Sequence, residues 1–148
     1  MPEGLTSVHG RKLAIAERGQ LVAHGINVSQ PCVDAAITVG DESTNVRAIT
    51  IQLKDAQGRD INYVETVEII VFGSAAMTAF ATTGGSTGLA IGTDGALLAL
   101  VAKKHFLATS EADGDIDLTW TDTGTESVAV GVRLPNGRVV VTAAFANA

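Results

Sequence analysis

The chain has one cysteine, Cys32, so no intrachain disulfide can form and the fold does not rely on oxidation. Aromatic side chains are scarce: Tyr63, Phe72, Phe80, Phe106, Trp120 and Phe145 are the whole set. Burial must come from many small and β-branched side chains, mostly Ala and Val, within a hydrophobic content of 46%. A domain of this size buries about two thirds of the surface its unfolded chain exposes, enough to fold without a disulfide or a metal. No apolar run approaches the ~20 residues needed to span a bilayer. The start MPEGLTSVHGRK lacks the apolar core of a signal peptide, so the chain is expected to be cytosolic when made. Basic residues are few as well, with a net charge of −6. That balance argues against sequence-independent nucleic-acid binding, which needs Lys and Arg to neutralise phosphates.

The charge is unevenly placed. Arg11, Lys12 and Arg18 against Glu3 and Glu17 leave residues 1–33 slightly basic, whereas the remainder carries the other bases against most of the acids. Residues 1–34 also differ in texture. Two short apolar pieces, 12–16 and 20–23, are joined by Glu17-Arg18-Gly19, which fits a small hairpin or a helical turn. Glycines at 4, 10, 19 and 25 speak against a long helix. The segment is either a flexible leader or an arm that orders by adding a strand to a partner's sheet edge. Its residues for such an anchor are Arg11, Lys12, Arg18, Leu13, Ile15, Leu21 and Val22.

From Ala35 a β rhythm begins. Strands are predicted at 35–39, 46–54, 63–72, 89–91 and 96–101, separated by Gly- and Asp-containing turns. In 46–54, Ile49, Ile51 and Leu53 share one face with Arg47 at the edge. Residues 75–81 suit a strand or one helical turn, and 82–88 (TTGGSTG) a mobile loop. The run EADGDIDLTWTDTGTESVAVGVRLPNGRVVVTAAFA predicts three consecutive strands of one antiparallel sheet with one wet face. Ile116, Leu118 and Trp120, then Val128, Val130 and Val132, then Val139, Val141 and Phe145 alternate with small or polar partners. Asn136-Gly137 predicts a type I′ hairpin turn. Short strands with turns every eight to twelve residues indicate a sandwich or barrel.

Motifs for chemistry are weak. Asp113, Asp115 and Asp117, with Glu111, form the densest acidic cluster, but counting from Asp113 the EF-hand's Gly and Glu positions hold Leu118 and Gly124. Asp115 and Asp117 flank inward-facing Ile116, as solvated strand residues do. Gly84-Gly85-Ser86-Thr87-Gly88 lacks the Lys of a phosphate loop. His9, His24 and His105 show no metal-ligand spacing, Cys32 has no nucleophile signature, and no serine sits in a G-x-S-x-G elbow. No cofactor, metal or catalytic residue is assigned.

Three stretches, VRAITIQLKDAQGRD, AIGTDGALLALVAKKHFLATSEADGDIDLTWTD and SVAVGVRLPNGRVVVTAAFA, resemble short immunoglobulin-like structural proteins of tailed bacteriophages. The resemblance covers the chain from about Val46 to the end. It implies an Ig-like antiparallel β-sandwich at 35–148, carrying an N-terminal arm at 1–34, in a head decoration or cement protein of the virion. The implied partner is the major capsid protein, bound on the outside of the head by a homo-oligomer, a trimer in the first instance, assembled in the host cytoplasm. No enzyme activity, nucleic acid or membrane is implied. Alternatives are a tail component, either a tube protein reaching the next ring through residues 73–88 or an Ig-like appendage, and a carbohydrate-binding module at the cell surface. Sugar stacking would fall to Tyr63, since Trp120 reads as core.

Overall fold

The alternation in residues 46–54 is realised in full: Ile49, Ile51 and Leu53 are completely buried on one side of a single strand. The computed structural model describes residues 21–24, 26–27 and 30–148. Two units are distinguished, Met1–Pro31 and Cys32–Ala148. In the first, the described residues form a short antiparallel ladder of β1 (Val22–Ala23) and β2 (Ile26–Asn27), with His24 at φ 53 in the turn. Val22 and Ala23 of the apolar piece at 20–23 thus pair with residues that follow them; residues 12–16 lie outside the described part.

In the second unit the strands are β3 (Asp34–Val39), β4 (Val46–Lys54), β5 (Thr66–Phe72), β6 (Gly88–Ile91), β7 (Ala96–Val101), β8 (His105–Thr109), β9 (Asp115–Thr121), β10 (Ala129–Arg133) and β11 (Val139–Val141). They make two antiparallel sheets, of order β3-β4-β9-β6 and β11-β10-β5-β8-β7. The protein is all-β, and the sheets pack as a β-sandwich. Ile49, Ile51, Leu53, Ile116, Leu118 and Trp120 face inward from the first sheet; Val67, Ile69, Val71, Phe106, Ala108, Val130 and Val132 face inward from the second. Each such aliphatic side chain contributes roughly 1.5–3 kcal/mol on burial. Arg47 closes the end of the β4 row, donating to Gly40 O, Ala146 O and Asn147 Oδ1 at 3.0, 2.7 and 3.0 Å.

Four expectations are corrected. The last three strands do not share a sheet: β9 pairs with β4 and β6, whereas β10 and β11 belong to the opposite sheet. Buried Asp122 turns the chain between them, accepting from the amides of Ser86, Gly124 and Glu126. Nor is the outer face of β10 wet before Arg133 at its end. Ala129 is fully buried, and Phe72 lies so close over Gly131 that a Cβ there would sit 2.6 Å from its ring. The β10–β11 hairpin is not type I′, because Pro135 holds φ near −65° and takes the first central place. Only Gly137 is at positive φ (86), giving a type I turn followed by a glycine bulge, closed by Gly137 N to Leu134 O and Leu134 N to Arg138 O, both 2.8 Å. Residues 75–81 are neither helix nor strand. A turn from Ser74 to Met77 folds the chain back so that Phe80 bridges Phe72 and Ala81 N donates to Val71 O.

Candidate interaction surface

Strand register sorts the side chains of each sheet into an inner and an outer face. On the four-stranded sheet the outer face reads Thr38–Thr50–Asp117 across one row, Ala36–Gln52–Asp115 across the next and Ala48–Thr119–Ala90 beyond. This is an ordinary solvated surface of hydroxyls, carboxylates and small residues. The five-stranded sheet differs. One row runs Leu98–Leu107–Glu68–Arg133–Val139 and the next His105–Ile70–Gly131–Val141, with Phe72 opposite Ala129. Its charges form one chain: Glu68 meets His105 Nε2 at 3.0 Å and Arg133 NH1 at 2.7 Å. The Arg133 hydrogen bond holds the Glu68 carboxyl below its usual range against the opposing effect of burial, and His105 adds to it. An open groove of about 400 Å³ lies beside this pair, between Leu107, Arg133 and the β10–β11 turn.

Apart from the Thr66–Thr109 hydroxyl pair, the rest of that face is apolar and, toward one side, bare. Leu98 is 61% exposed, Leu100 51%, Val101 45% and Leu107 36%, with Phe80 at 47% and its ring 6.3 Å from that of His105. Leu98, Leu100 and Val101 lie on β7, which has β8 on one side and, among the described residues, no strand on the other. Edge strands are usually protected by charge, proline or shortness. Here β3 begins with Asp34 paired to Arg138 at 3.2 Å, while β6 and β11 have only 4 and 3 residues. The six residues of β7, ALLALV, carry no charge and no proline; their one irregularity is an extra residue, Leu100, between Ala99 and Val101. That run was legible as a strand, but its lack of alternation is the signal that could have marked it as a contact surface. Among the sequence-predicted anchor residues, Leu21 is half-buried and Val22 is 55% exposed on β1. Arg11, Lys12, Leu13, Ile15 and Arg18 lie outside the described residues.

The opposite sheet carries a carboxylate cluster. Asp94, from the β6–β7 turn, joins Asp115 and Asp117 on β9, with ligand-type oxygens within 4.8 Å of one another. Hard oxygen donors of this kind suit Ca²⁺ or Mg²⁺. Glu111 and Asp113, grouped with them by sequence, are engaged elsewhere, accepting from the Gly95 and Asp115 amides. Thr50 and Thr93 hydroxyls donate to Asp117, whereas Asp115 Oδ1 is buried with no hydrogen-bond partner. Burial, then the charges of Asp117, Asp113 and Asp94, push the Asp115 carboxyl up. A raised acid costs the fold stability above its folded pKa and nothing below its unfolded one. Asp115→Asn is therefore expected to stabilise the protein at pH 7 by up to ~1 kcal/mol, the scale of a charge contact at a partly solvated site. The gain should disappear near pH 3 in thermal melts; a gain equal at both pH values would trace to something other than charge.

The glycine-rich loop, expected to be free, is tied to the body by hydrogen bonds. Its amides at Thr83, Gly84 and Gly85 and the Thr83 hydroxyl all donate to the Glu126 carboxylate, and Lys103 Nζ reaches Ser86 O at 2.7 Å. The anion such a nest of amides attracts is supplied by the chain itself. Cys32 is buried rather than half-buried. Burial first, then the nearby Glu65 charge, push its thiol up to about 12, so it is not a thiolate at neutral pH. Tyr63, the residue considered for sugar stacking, is half-buried against the core, and Trp120 is wholly inside. Compared with family models, curated proteins and solved structures, the chain matches none.

Proposed function

We propose that the protein is a non-enzymatic virion structural protein of a tailed bacteriophage, an Ig-like sandwich that binds the outside of the head and reinforces the seams between capsid subunits. The observation that supports an assembly role is the bare apolar margin of the five-stranded sheet: Leu98, Leu100 and Val101 on its uncharged edge strand, with Leu107 beside them on β8. Contiguous apolar surface on a folded domain marks a place of contact. Reinforcement then follows from many modest contacts multiplied by copy number. In this proposal residues 1–34 anchor to the shell, with Leu13 and Ile15 as apolar contacts and Arg11, Lys12 and Arg18 seeking acids.

Two features weigh against the rivals. Residues 73–88 fold back onto β5 and are tied to Glu126, so they do not form the free reach a tail tube subunit needs. An exposed stacking platform for sugars is lacking at Tyr63 and Trp120. The test is co-sedimentation of the full chain with empty expanded heads built from the major capsid protein of the same genome. Saturable binding is expected, lost in a Leu13→Asp/Ile15→Asp variant. Absence of binding to heads excludes decoration, and spontaneous rings or tubes of the purified protein move it to the tail.

A further inference from the structure

We infer that β7 is a self-pairing edge: two copies align β7 against β7 antiparallel, joining their five-stranded sheets into one continuous sheet of ten. The inference rests on the assembly surface above and names its occupant as a second copy of this chain.

Three observations carry it. First, among the described residues no strand pairs with the outer side of β7, so its backbone donors and acceptors, interrupted at the Leu100 bulge, stand free on an uncharged strand, an arrangement that templates another strand. Second, the two ends of this strand carry opposite charge. Asp94 stands just before it, its neighbour Gly95 held by Glu111, and Lys104 stands just after it, next to Lys103, whose ammonium is turned to Ser86 O. Antiparallel pairing of two copies sets the acidic end of each beside the basic end of the other, whereas parallel pairing would set like charges together. Third, Leu98 is paired with Leu107 on the outer face. A two-fold axis at the edge makes the leucine patches of both copies contiguous, so each shields the other. An isologous contact of this kind closes at two chains, not at the trimer expected from sequence. A six-residue edge is smaller than the ~800 Å² per partner of a stable complex, so the pairing is concentration-dependent.

The experiment is sedimentation equilibrium of the full chain from ~1 µM to ~1 mM, with amide hydrogen exchange at both ends of that range. The mass is expected to rise from one chain toward two, and exchange within residues 96–101 to slow at high concentration while β3 and β6 exchange unchanged. Leu98→Lys, on a side chain already 61% exposed, should weaken dimerisation at least tenfold and leave the melting temperature within a few degrees of the parent. A single-chain mass throughout, or a dimer with unaltered exchange at 96–101, overturns the inference. Should the lysine variant fold poorly, the exchange measurement on the parent decides alone. Head binding is scored separately: a parent that binds heads but never dimerises defeats self-pairing and leaves decoration standing, and a dimer that ignores heads does the reverse.

Discussion

Trp120→Ala is expected to lower the unfolding free energy by about 3–5 kcal/mol, the largest effect of any single truncation in this core. Stabilities of domains this size are only about 5–15 kcal/mol, so the variant would sit near the limit of folding. The reason is position. Trp120 is the bulkiest of the fully buried side chains and stands on β9 opposite Arg47 and Leu89. Phe145 meets it edge-on, with centroids 6.2 Å apart and planes at 90°, tying the chain beyond β11 to the opposite sheet. Gly85 lies against the far rim of the indole; a Cβ there would come within 2.8 Å of it. One side chain thus supports β6, the glycine loop and the C-terminal segment together.

Two companions sharpen the prediction. Trp120→Phe should cost far less than the alanine, roughly 1–2 kcal/mol, because Nε1 is buried without a hydrogen-bond partner and only volume is lost. Gly85→Ala should be destabilising by about 2–4 kcal/mol, from the clash with the indole and from an L side chain at φ +83. Its penalty should shrink when Trp120 is already alanine, a coupling that a double-mutant cycle in urea measures. Additive effects would mean that loop and indole do not share one packing unit.

The second large effect is at Glu126. Against the upward push of burial, hydrogen bonds from the Thr83 hydroxyl and amide and the Gly85 and Gly84 amides bring its carboxyl down to about 2. A carboxyl whose folded pKa lies below its unfolded value stabilises the fold above the unfolded pKa, and that contribution is lost as pH falls through the folded one. The window here runs from about 4.5 down to about 2. At pH 7, discounting for partial exposure, Glu126→Gln is expected to cost roughly 1–3 kcal/mol. The amide retains a single acceptor oxygen where the carboxylate served four donors. Urea unfolding at pH 7, 4 and 2.5 should show parent and variant converging as the pH falls. Asp55 and Glu68, also held below their usual range, will leave an acid limb in the variant too. A difference between parent and variant that is constant with pH would mean that the loop is not held by the carboxylate.

Local features were readable because local physics made them. Alternation and β-branching in 46–54 put three side chains inward whatever the fold, and Gly92-Thr93-Asp94-Gly95 separates β6 from β7 because only such residues turn tightly there. The number and length of the strands left a sandwich or a barrel, and the two sheets packed face to face make it a sandwich. What alternation cannot say is which sheet a strand joins, since both sheets of a sandwich turn the same kind of apolar row toward one core. Hence β9 and β10, adjacent in the chain, lie in opposite sheets. Contacts across large sequence distances were equally hidden: Glu126 with the loop 42 residues before it, Arg47 with Asn147 100 residues on, Asp94 with Asp115 and Asp117. Such pairs form only once segments distant in sequence have been brought together. The apolar margin belongs to the same class. ALLALV by itself suits a buried strand as well as a bare one, and only its place as the last strand of a sheet among the described residues leaves those side chains facing water.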